Sequence, residues 1–574
     1  ENPSRYDDAA IEAIRELLEF EPGAPLPAER IAAVKMGTTV ATNALLERQG
    51  EPTVLFTTRG FADALRIGYQ ARPDLFALDI DLPEMIYRQV VEVDERMAAD
   101  GRTITELDLP ATIAALERAR ADGFDSVAIS FMHGYRHPKH EELVARAARE
   151  IGFAQVSVSH EVSPLLKLVA RGDTTMVDAY LSPVLRRYVD RVSAALPDTR
   201  LLFMQSNGGL AEATTFRGKD SLLSGPAGGV VGMVATAGAA GFERLIGFDM
   251  GGTSTDVSHY AGELERTYET TIDGIRVRAP MIHVHTVAAG GGSILAFDGA
   301  RLRVGPASAG ADPGPACYGN GGPLAVTDAN VVLGKLRPDH FPRIFGPTGD
   351  QPLDAEASLR AFATLTEEVN RATGGNRSVE DLAQGFLRIA CDNMANAIKK
   401  ISVQRGHDVA EYTLVCFGGA GGQHACLVAD NLGVERIHIH PNAGVLSAVG
   451  IGLADVRRVA EQSVEAILDP DAFARLEALW SALADDGRRQ LEAQGLGFER
   501  LVIERRLSLR YEGSDTSLWV EAADAVEARD RFEERHQARF GFVAPDTRLV
   551  IEAAQVEVVG RARAKTGSAG THVL

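Results

Sequence analysis

No G-x-x-x-x-G-K-[ST] stretch occurs anywhere in the chain, so a P-loop is excluded. Cysteine is sparse. Cys317, Cys391, Cys416 and Cys426 show no C-x-x-C spacing, so neither a zinc ribbon nor a disulfide framework is indicated. No apolar run approaches membrane-spanning length. Positive charge is outnumbered: 59 Lys and Arg against 79 Asp and Glu leave a formal net charge of −20. That balance argues against nucleic acid or an anionic membrane as partner. What remains, 574 residues with 45% hydrophobic and 24% charged side chains, is the composition of a soluble cytoplasmic enzyme with several domains.

The most informative stretch is Arg244–Tyr260, RLIGFDMGGTSTDVSHY. An apolar run leads to Asp249, then come Gly251, Gly252, Thr253, Ser254, Thr255 and Asp256, and a strand pattern resumes at Val257. Two glycines permit a sharp turn and bring bare N–H groups to a ligand, and successive N–H groups in a turn form an anion-binding hollow. The flanking carboxylates would repel a bare phosphate, so they imply a divalent cation between. The loop reads as a Mg-nucleotide phosphate clamp, with Asp249 and Asp256 as the metal and catalytic carboxylates. A small-residue hairpin turn is the simpler alternative, which Gly-Gly alone would favour.

A second glycine loop follows the short apolar strand Val415-Cys416-Phe417: Gly418, Gly419, Ala420, Gly421, Gly422, Gln423, His424, and then a helical stretch from Ala425 to Leu432. Strand, glycine loop, helix is the geometry that presents a ligand to a helix N-terminus. Gly418, Gly419, Gly421, Gly422 and Gln423 are therefore candidates to bracket adenosine.

Periodicity organises the rest. Ile11, Ile14 and Leu18 share a helical face behind Asp7 and Asp8, which suit an N-cap. Helical patterns at 111–121 and 141–151 alternate with strand patterns at 127–131 and 155–159, which predicts a parallel or mixed α/β sheet. Long helices are expected over 380–404 and 471–494. Residues 338–354 read as a loop. Strands at 507–511, 517–520 and 551–559 predict antiparallel pairing. These patterns divide the chain into an N-terminal α/β lobe (1–170), a core (171–458) and a smaller α+β C-terminal domain (459–574), the last ending in a frayed polar tail.

Other residues admit two readings. Thr38, Thr39 and Asn43 could sit beside nucleotide or substrate, or form a helix-capping run. Ser224 and Gly225, in SGPAGG, could line a nucleotide cleft or make a packing corner. Arg59 and Arg72 could pair with an anionic group, although a solvated surface arginine is the simpler account. His283 and His285 would face one way on a strand, but two histidines fall short of the three protein ligands usual at a catalytic metal. His283, His438 and His440 read as structural. His285, near Gly290-Gly291-Gly292-Ser293, is the better substrate-side candidate. Asp312-Pro313-Gly314-Pro315 reads as a rigid turn.

The strand–hydroxyl turn–strand arrangement resembles the phosphate loops of the actin, sugar-kinase and Hsp70 superfamily. More specifically, VKMGTTVATNALLERQG from Val34, LLSGPAGGVVG from Leu222, GFDMGGTSTDVS from Gly247, HTVAAGGGSI from His285, SAGADPGPACYGNGGPLAVTDAN from Ser308 and CFGGAGGQHA from Cys416 together resemble the A-type half of the hydantoinase/oxoprolinase family. RGHD from Arg405, LLFMQSNGGL from Leu201 and HIHPNAGVLSAVGIGLADV from His438 point to its ATP-dependent 5-oxoprolinase branch.

That resemblance implies an α/β, actin-like, two-lobed ATPase fold. It implies ATP, Mg²⁺ and optionally a monovalent cation as cofactors. The implied activity is phosphorylation of 5-oxo-L-proline, whose ring then opens to L-glutamate with the help of a B-type hydrolytic half, separate or fused downstream. An oligomer is expected. Sister activities (N-methylhydantoinase, lactamase, ketone carboxylase subunit) share the same loops, and a nucleotide-binding scaffold inactive alone is a third reading. The family pattern also places a first phosphate hairpin ahead of the residues at which this sequence opens, and without it no ATP hydrolysis is expected.

Overall fold

The computed structural model describes residues 8–21, 26, 30–70, 76, 78–80, 84–494 and 498–562. Asp7, Arg72 and the polar tail 563–574 lie outside them. The chain forms two compact units. One comprises residues 1–225, 267–281 and 454–574, the other 226–266 and 282–453.

In the first unit, four parallel strands run in the order Gln89–Val93, Thr53–Thr58, Ser126–Ser130, Gln155–Val158. Every residue of the two central strands is buried, as expected where crossover helices cover both faces of a parallel sheet. Helix Leu109–Ala121 begins at Asp108, whose carboxylate accepts from Ala111 N at 3.0 Å, an N-cap that satisfies one orphan donor. Helix Lys139–Ile151 stops at Gly152, which adopts φ 96°. Phe56, Val127, Ile129, Leu116 and Val144 fill the layer between.

The same unit holds a seven-stranded sheet. Its order is Val34–Met36, Leu201–Met204, Leu210–Glu212, Val456–Ile467, Leu549–Ala562, Phe498–Tyr511, Ser517–Val520. Helix Pro470–Ala493 packs on the long antiparallel strands, burying Phe473, Leu476 and Trp480. The predicted helix and hairpin of this region are present. Their strands join those of residues 34–36 and 201–212 in one sheet.

The second unit is built on five strands in the order Val284–Val287, Thr255–Ala261, Arg244–Met250, Thr413–Phe417, Arg436–His438. The first two pairings are antiparallel and the last two parallel. Leu245, Ile246, Phe248 and Met250 on the central strand are all fully buried. One covering helix is Val379–Ile401, opened by a reciprocal cap between Ser378 and Asp381. Phe386, Met394 and Ile398 on it join the core of the sheet. Strands Arg244–Met250 and Thr413–Phe417 run parallel, with Asp249 opposite Phe417. The turns that leave their carboxyl ends therefore open on the same edge, where α/β sheets commonly bind ligands.

Candidate nucleotide site

The Arg244–Met250 and Thr255–Ala261 strands form a hairpin whose loop is Gly251–Ser254, with Asp249 and Asp256 directly opposed across it. Gly251 N donates to Ser254 O at 3.0 Å. The N–H groups of Gly252, Thr253 and Ser254 have no hydrogen-bond partner among the described residues. Thr253 is exposed and Ser254 half-buried. Thr255 differs from its two neighbours: it is fully buried and its hydroxyl donates to Ala289 O, so it ties the loop down rather than facing outward.

What it is tied to explains the triple glycine. Gly291 N donates to Gly251 O at 3.1 Å and Gly292 N to Gly252 O at 2.5 Å. A Cβ on Gly290 would sit 2.6 Å from Ser254 N and 2.6 Å from the Thr253 carbonyl carbon. The glycine run thus closes on the backbone of the hairpin loop.

Burial, reinforced by the charge on Asp256, pushes the Asp249 carboxyl up to about 6. Its carboxylate accepts no hydrogen bond among the described residues. Burial also raises Asp256, opposed by Thr286 Oγ1, which donates to Asp256 Oδ1 at 2.6 Å. Two close carboxylates that both resist ionisation form an anionic pair suited to a hard divalent cation.

The second glycine loop lies beside this pair. Ala420 N donates to Met250 O at 2.9 Å and Gly418 N to Ala443 O at 3.0 Å. Gly418 has φ +83°, and a Cβ there would collide with Asp249 Oδ1 and Met250 O. Gly421 is confined by Cys416 Sγ, whereas Gly419 and Gly422 have open space. The Gln423 side chain accepts from Asn330 Nδ2 at 2.8 Å, and its carbonyl accepts from Lys335 Nζ at 2.9 Å. His424 is buried, and burial pulls its imidazole down to about 4, so it is neutral.

Helix Ser224–Ala239 opens with SGPAGG itself. Within the second unit, a Cβ on Gly229 would stand 2.9 Å from the Phe417 ring, 3.0 Å from Ser447 Oγ and 3.5 Å from Asp249 Oδ2. The glycines therefore serve close packing, and that packing borders Asp249.

Ser224, Gly225, Thr38, Thr39, Asn43 and Arg59 belong to the first unit. Ser224 Oγ donates to Thr38 O at 3.1 Å, and Thr38 Oγ1 accepts from Val40 N at 3.2 Å. Gly225 has open space. Thr39 holds the N-cap position of helix Val40–Leu46 without a side-chain cap bond, and it and Asn43 are exposed. Arg59 forms a bidentate ion pair with Asp94 on the surface, its second bond 2.6 Å long. It is an occupied surface arginine.

His285, on the second unit's edge strand opposite Val257, is partly buried, which lowers its imidazole from the ordinary range. His283 Nε2 accepts from Arg405 at 3.0 Å. His438 leans on Phe242 with ring centroids 5.6 Å apart, and His440 Nδ1 accepts from Asn442 N at 3.1 Å. Sequence reasoning missed the cluster around Glu265. His259 Nδ1 lies 2.7 Å from Glu265 Oε1, His407 stacks on His259 at 4.2 Å, and Arg405 donates to Glu265 Oε2 at 2.8 Å. Arg405 and His407 both come from the RGHD motif, the only advance signal.

The hydantoinase/oxoprolinase model matches residues 171–460, and the hydantoinase/oxoprolinase N-terminal region model matches residues 2–152. The chain belongs to the hydantoinase/oxoprolinase family. It is 42% identical to 5-oxoprolinase of Saccharomyces cerevisiae over 98% of its own length and 47% of that protein's. It thus spans about half the length of the curated 5-oxoprolinases that it matches. The caprolactamase alpha subunit of Pseudomonas jessenii is 34% identical over 93% of this chain and 79% of that subunit. Among solved structures, the ATP-dependent caprolactamase from Pseudomonas jessenii superposes with a TM-score of 0.84 at 31% identity, covering 98% of this chain and 84% of that one. A nucleotide-free acetone carboxylase, at 23% identity and TM-score 0.68 over 91% and 78% of the two chains, shares the α/β fold.

Proposed function

We propose that this family member binds Mg-ATP at the Gly251–Ser254 hairpin and, with a B-type hydrolytic half, activates 5-oxo-L-proline for ring opening to L-glutamate. The observation that carries the reading is the Asp249–Asp256 pair beside three unbonded loop amides. Those amides, with the Thr253 and Ser254 hydroxyls, would hold phosphate oxygens, while Asp249 and Asp256 would hold the cation. Both carboxylates suit a cation. Asp249 has no hydrogen-bond donor competing for its oxygens, and burial disfavours its charge until a cation arrives. Gly419 and Gly422, with open space above them, would admit adenosine. The shared edge of hairpin and glycine loop supports the actin-like, two-lobed reading.

Mg²⁺ would neutralise charge on the transferring phosphoryl group. The chain's own residues orient the phosphates and keep the loop fixed against Gly290–Gly292. Phosphorylation of the lactam oxygen turns an unreactive amide carbonyl into one with a good leaving group. A lactamase of the caprolactamase type is the second reading, favoured by the TM-score of 0.84. A cytoplasmic location and an oligomeric assembly accompany the proposal.

The test is phosphate release by the full-length protein with its B-type partner. Release that depends on 5-oxo-L-proline and matches glutamate formed establishes the first reading. Release stimulated only by larger lactams selects the second, and no nucleotide binding at all overturns both.

A further inference from the structure

A cavity of about 550 Å³ lies within the first unit, and none of its lining residues belongs to the hairpin. Its walls come from strand Gln155–Val158, helix Leu168–Ala195, the loop Ala213–Arg217, strand Val456–Ile467 and helix Pro470–Ala493. The volume is in the range of small-molecule sites.

Charges of both signs line it, and of these Glu161 pairs with Arg149 at 3.4 Å. Arg186, Arg217 and Arg458 line it, and so do Asp178 and Asp190. None of the five makes an ion pair among the described residues. Arg186 donates to Ala154 O at 3.2 Å and Gln155 Oε1 at 2.7 Å, and Arg217 to Glu161 O at 3.3 Å. Asp178 accepts from Ser157 Oγ at 2.7 Å and Ser182 Oγ at 3.2 Å. The Arg458 side chain makes no hydrogen bond among the described residues, and its Nε is buried without a partner. Asp220 acts on Arg458 through space, but its carboxylate is bonded to Lys219 at 2.7 Å.

Arg458 is half-buried with its Nε shut off from water, and Asp178 is buried, whereas Arg186 and Asp190 are exposed. Charge withdrawn from water is costly unless a partner meets it. Both signs are held apart in one cavity, so a ligand carrying both would satisfy each. Guanidinium forks match carboxylates in geometry and charge, the buried Asp178 suits an ammonium, and Val156, Val162 and Val189 supply a short apolar wall. We propose that this cavity is a binding site for a small acidic α-amino acid, separate from the nucleotide hairpin. The arginines take the carboxylates and Asp178 takes the ammonium. The inference does not depend on the proposed function.

Isothermal titration of the chain at neutral pH with L-glutamate, glutarate and inorganic phosphate tests it. L-Glutamate is expected to bind with one-to-one stoichiometry. Glutarate, which lacks the ammonium, should bind at least about tenfold more weakly, and phosphate more weakly still. Arg217→Gln and Arg458→Met should each weaken L-glutamate by about tenfold or more, while Asp249→Asn leaves it unchanged. Arg217 lies in a loop and is only half-buried, so its variant remains informative if Arg458→Met fails to fold. No binding by any probe, equal binding of glutarate and L-glutamate, preference for phosphate, or unchanged affinity in Arg217→Gln would each overturn the proposal.

Discussion

The carboxylate of Asp249 occupies the space that a side chain at Gly418 would need. Gly418 has φ +83°, and a Cβ on it would strike Asp249 Oδ1 and stand 2.5 Å from Met250 O. The adjacent Gly419 has nothing within 4 Å of its Cβ position. Gly418→Ala should therefore cost about 1–3 kcal/mol of stability and weaken ATP by more than tenfold by displacing Asp249. Gly419→Val should fold normally and lose ATP affinity alone. Thermal melts beside nucleotide titrations separate the two, and a Gly419→Val protein with unchanged ATP affinity would count against the adenosine assignment.

Asp249 also links the site to pH. Its folded-state carboxyl sits at about 6 against an ordinary 3.8. A raised carboxyl means that the unfolded chain releases the proton first, so stability is lost as pH rises from about 4 to about 6. Asp249→Asn should stabilise the nucleotide-free chain above that window by about 1–3 kcal/mol and abolish the Mg²⁺-dependent rise in melting temperature with ATP. Mg-ATP affinity of the unaltered chain should climb as pH passes through about 6, because the proton competes for the same oxygens.

Gly290 predicts a loss without any change in a polar group. A methyl there would overlap the backbone of Thr253 and Ser254, so Gly290→Ala must push the hairpin loop outward. ATP affinity should fall by at least about tenfold while the fold, read by circular dichroism, persists. Unaltered affinity would mean that the loop tolerates displacement and that its amides are not the phosphate contacts.

In the first unit, Glu141 anchors a buried network. It accepts from Phe131 N at 2.8 Å, Ser159 Oγ at 2.5 Å and His160 Nδ1 at 2.6 Å, and Ser159 Oγ in turn receives Arg171 Nε at 2.9 Å. Glu141→Gln should cost about 3–5 kcal/mol, since Arg171 is left without a nearby counter-charge. Burial lowers the His160 imidazole, but the Glu141 bond and charge outweigh it, so the net shift is upward. That pair adds stability below the ordinary value of 6.5, and the contribution is lost as pH rises through the raised value. Denaturant midpoints across this range should show the slope in the unaltered chain and its absence in Glu141→Gln.

The hairpin and the glycine loop were legible because each is a local pattern: apolar run, small residues, apolar run. The helices at 109–121, 139–151, 379–401 and 470–493 were legible for the same reason, within a few residues at their ends. The purpose of Gly290–Gly292 was not. A glycine run announces a close approach without naming what approaches, and here it is the loop Gly251–Ser254. For Arg59 the surface reading held, but its partner, Asp94, is 35 residues away and has no local signature. The pairing of Val34–Met36 with Leu201–Met204 has no local signature, since register between distant strands is settled by the whole core. The same holds for His259, Glu265 and His407, which no spacing rule unites.

The seven-stranded sheet bears on how the molecule comes into being. Strand Leu549–Ala562 lies between Val456–Ile467 and Phe498–Tyr511, and through the former reaches the strands of residues 34–36 and 201–212. A ribosome delivers these partners long before it delivers the strand that joins them. Until residue 562 has cleared the exit tunnel, strands Val456–Ile467 and Phe498–Tyr511 wait with open edges, the condition that invites intermolecular pairing. The nascent chain is therefore most exposed to aggregation in the interval before residue 562 emerges, when the phosphate-hairpin unit, which ends at residue 453, has already been delivered.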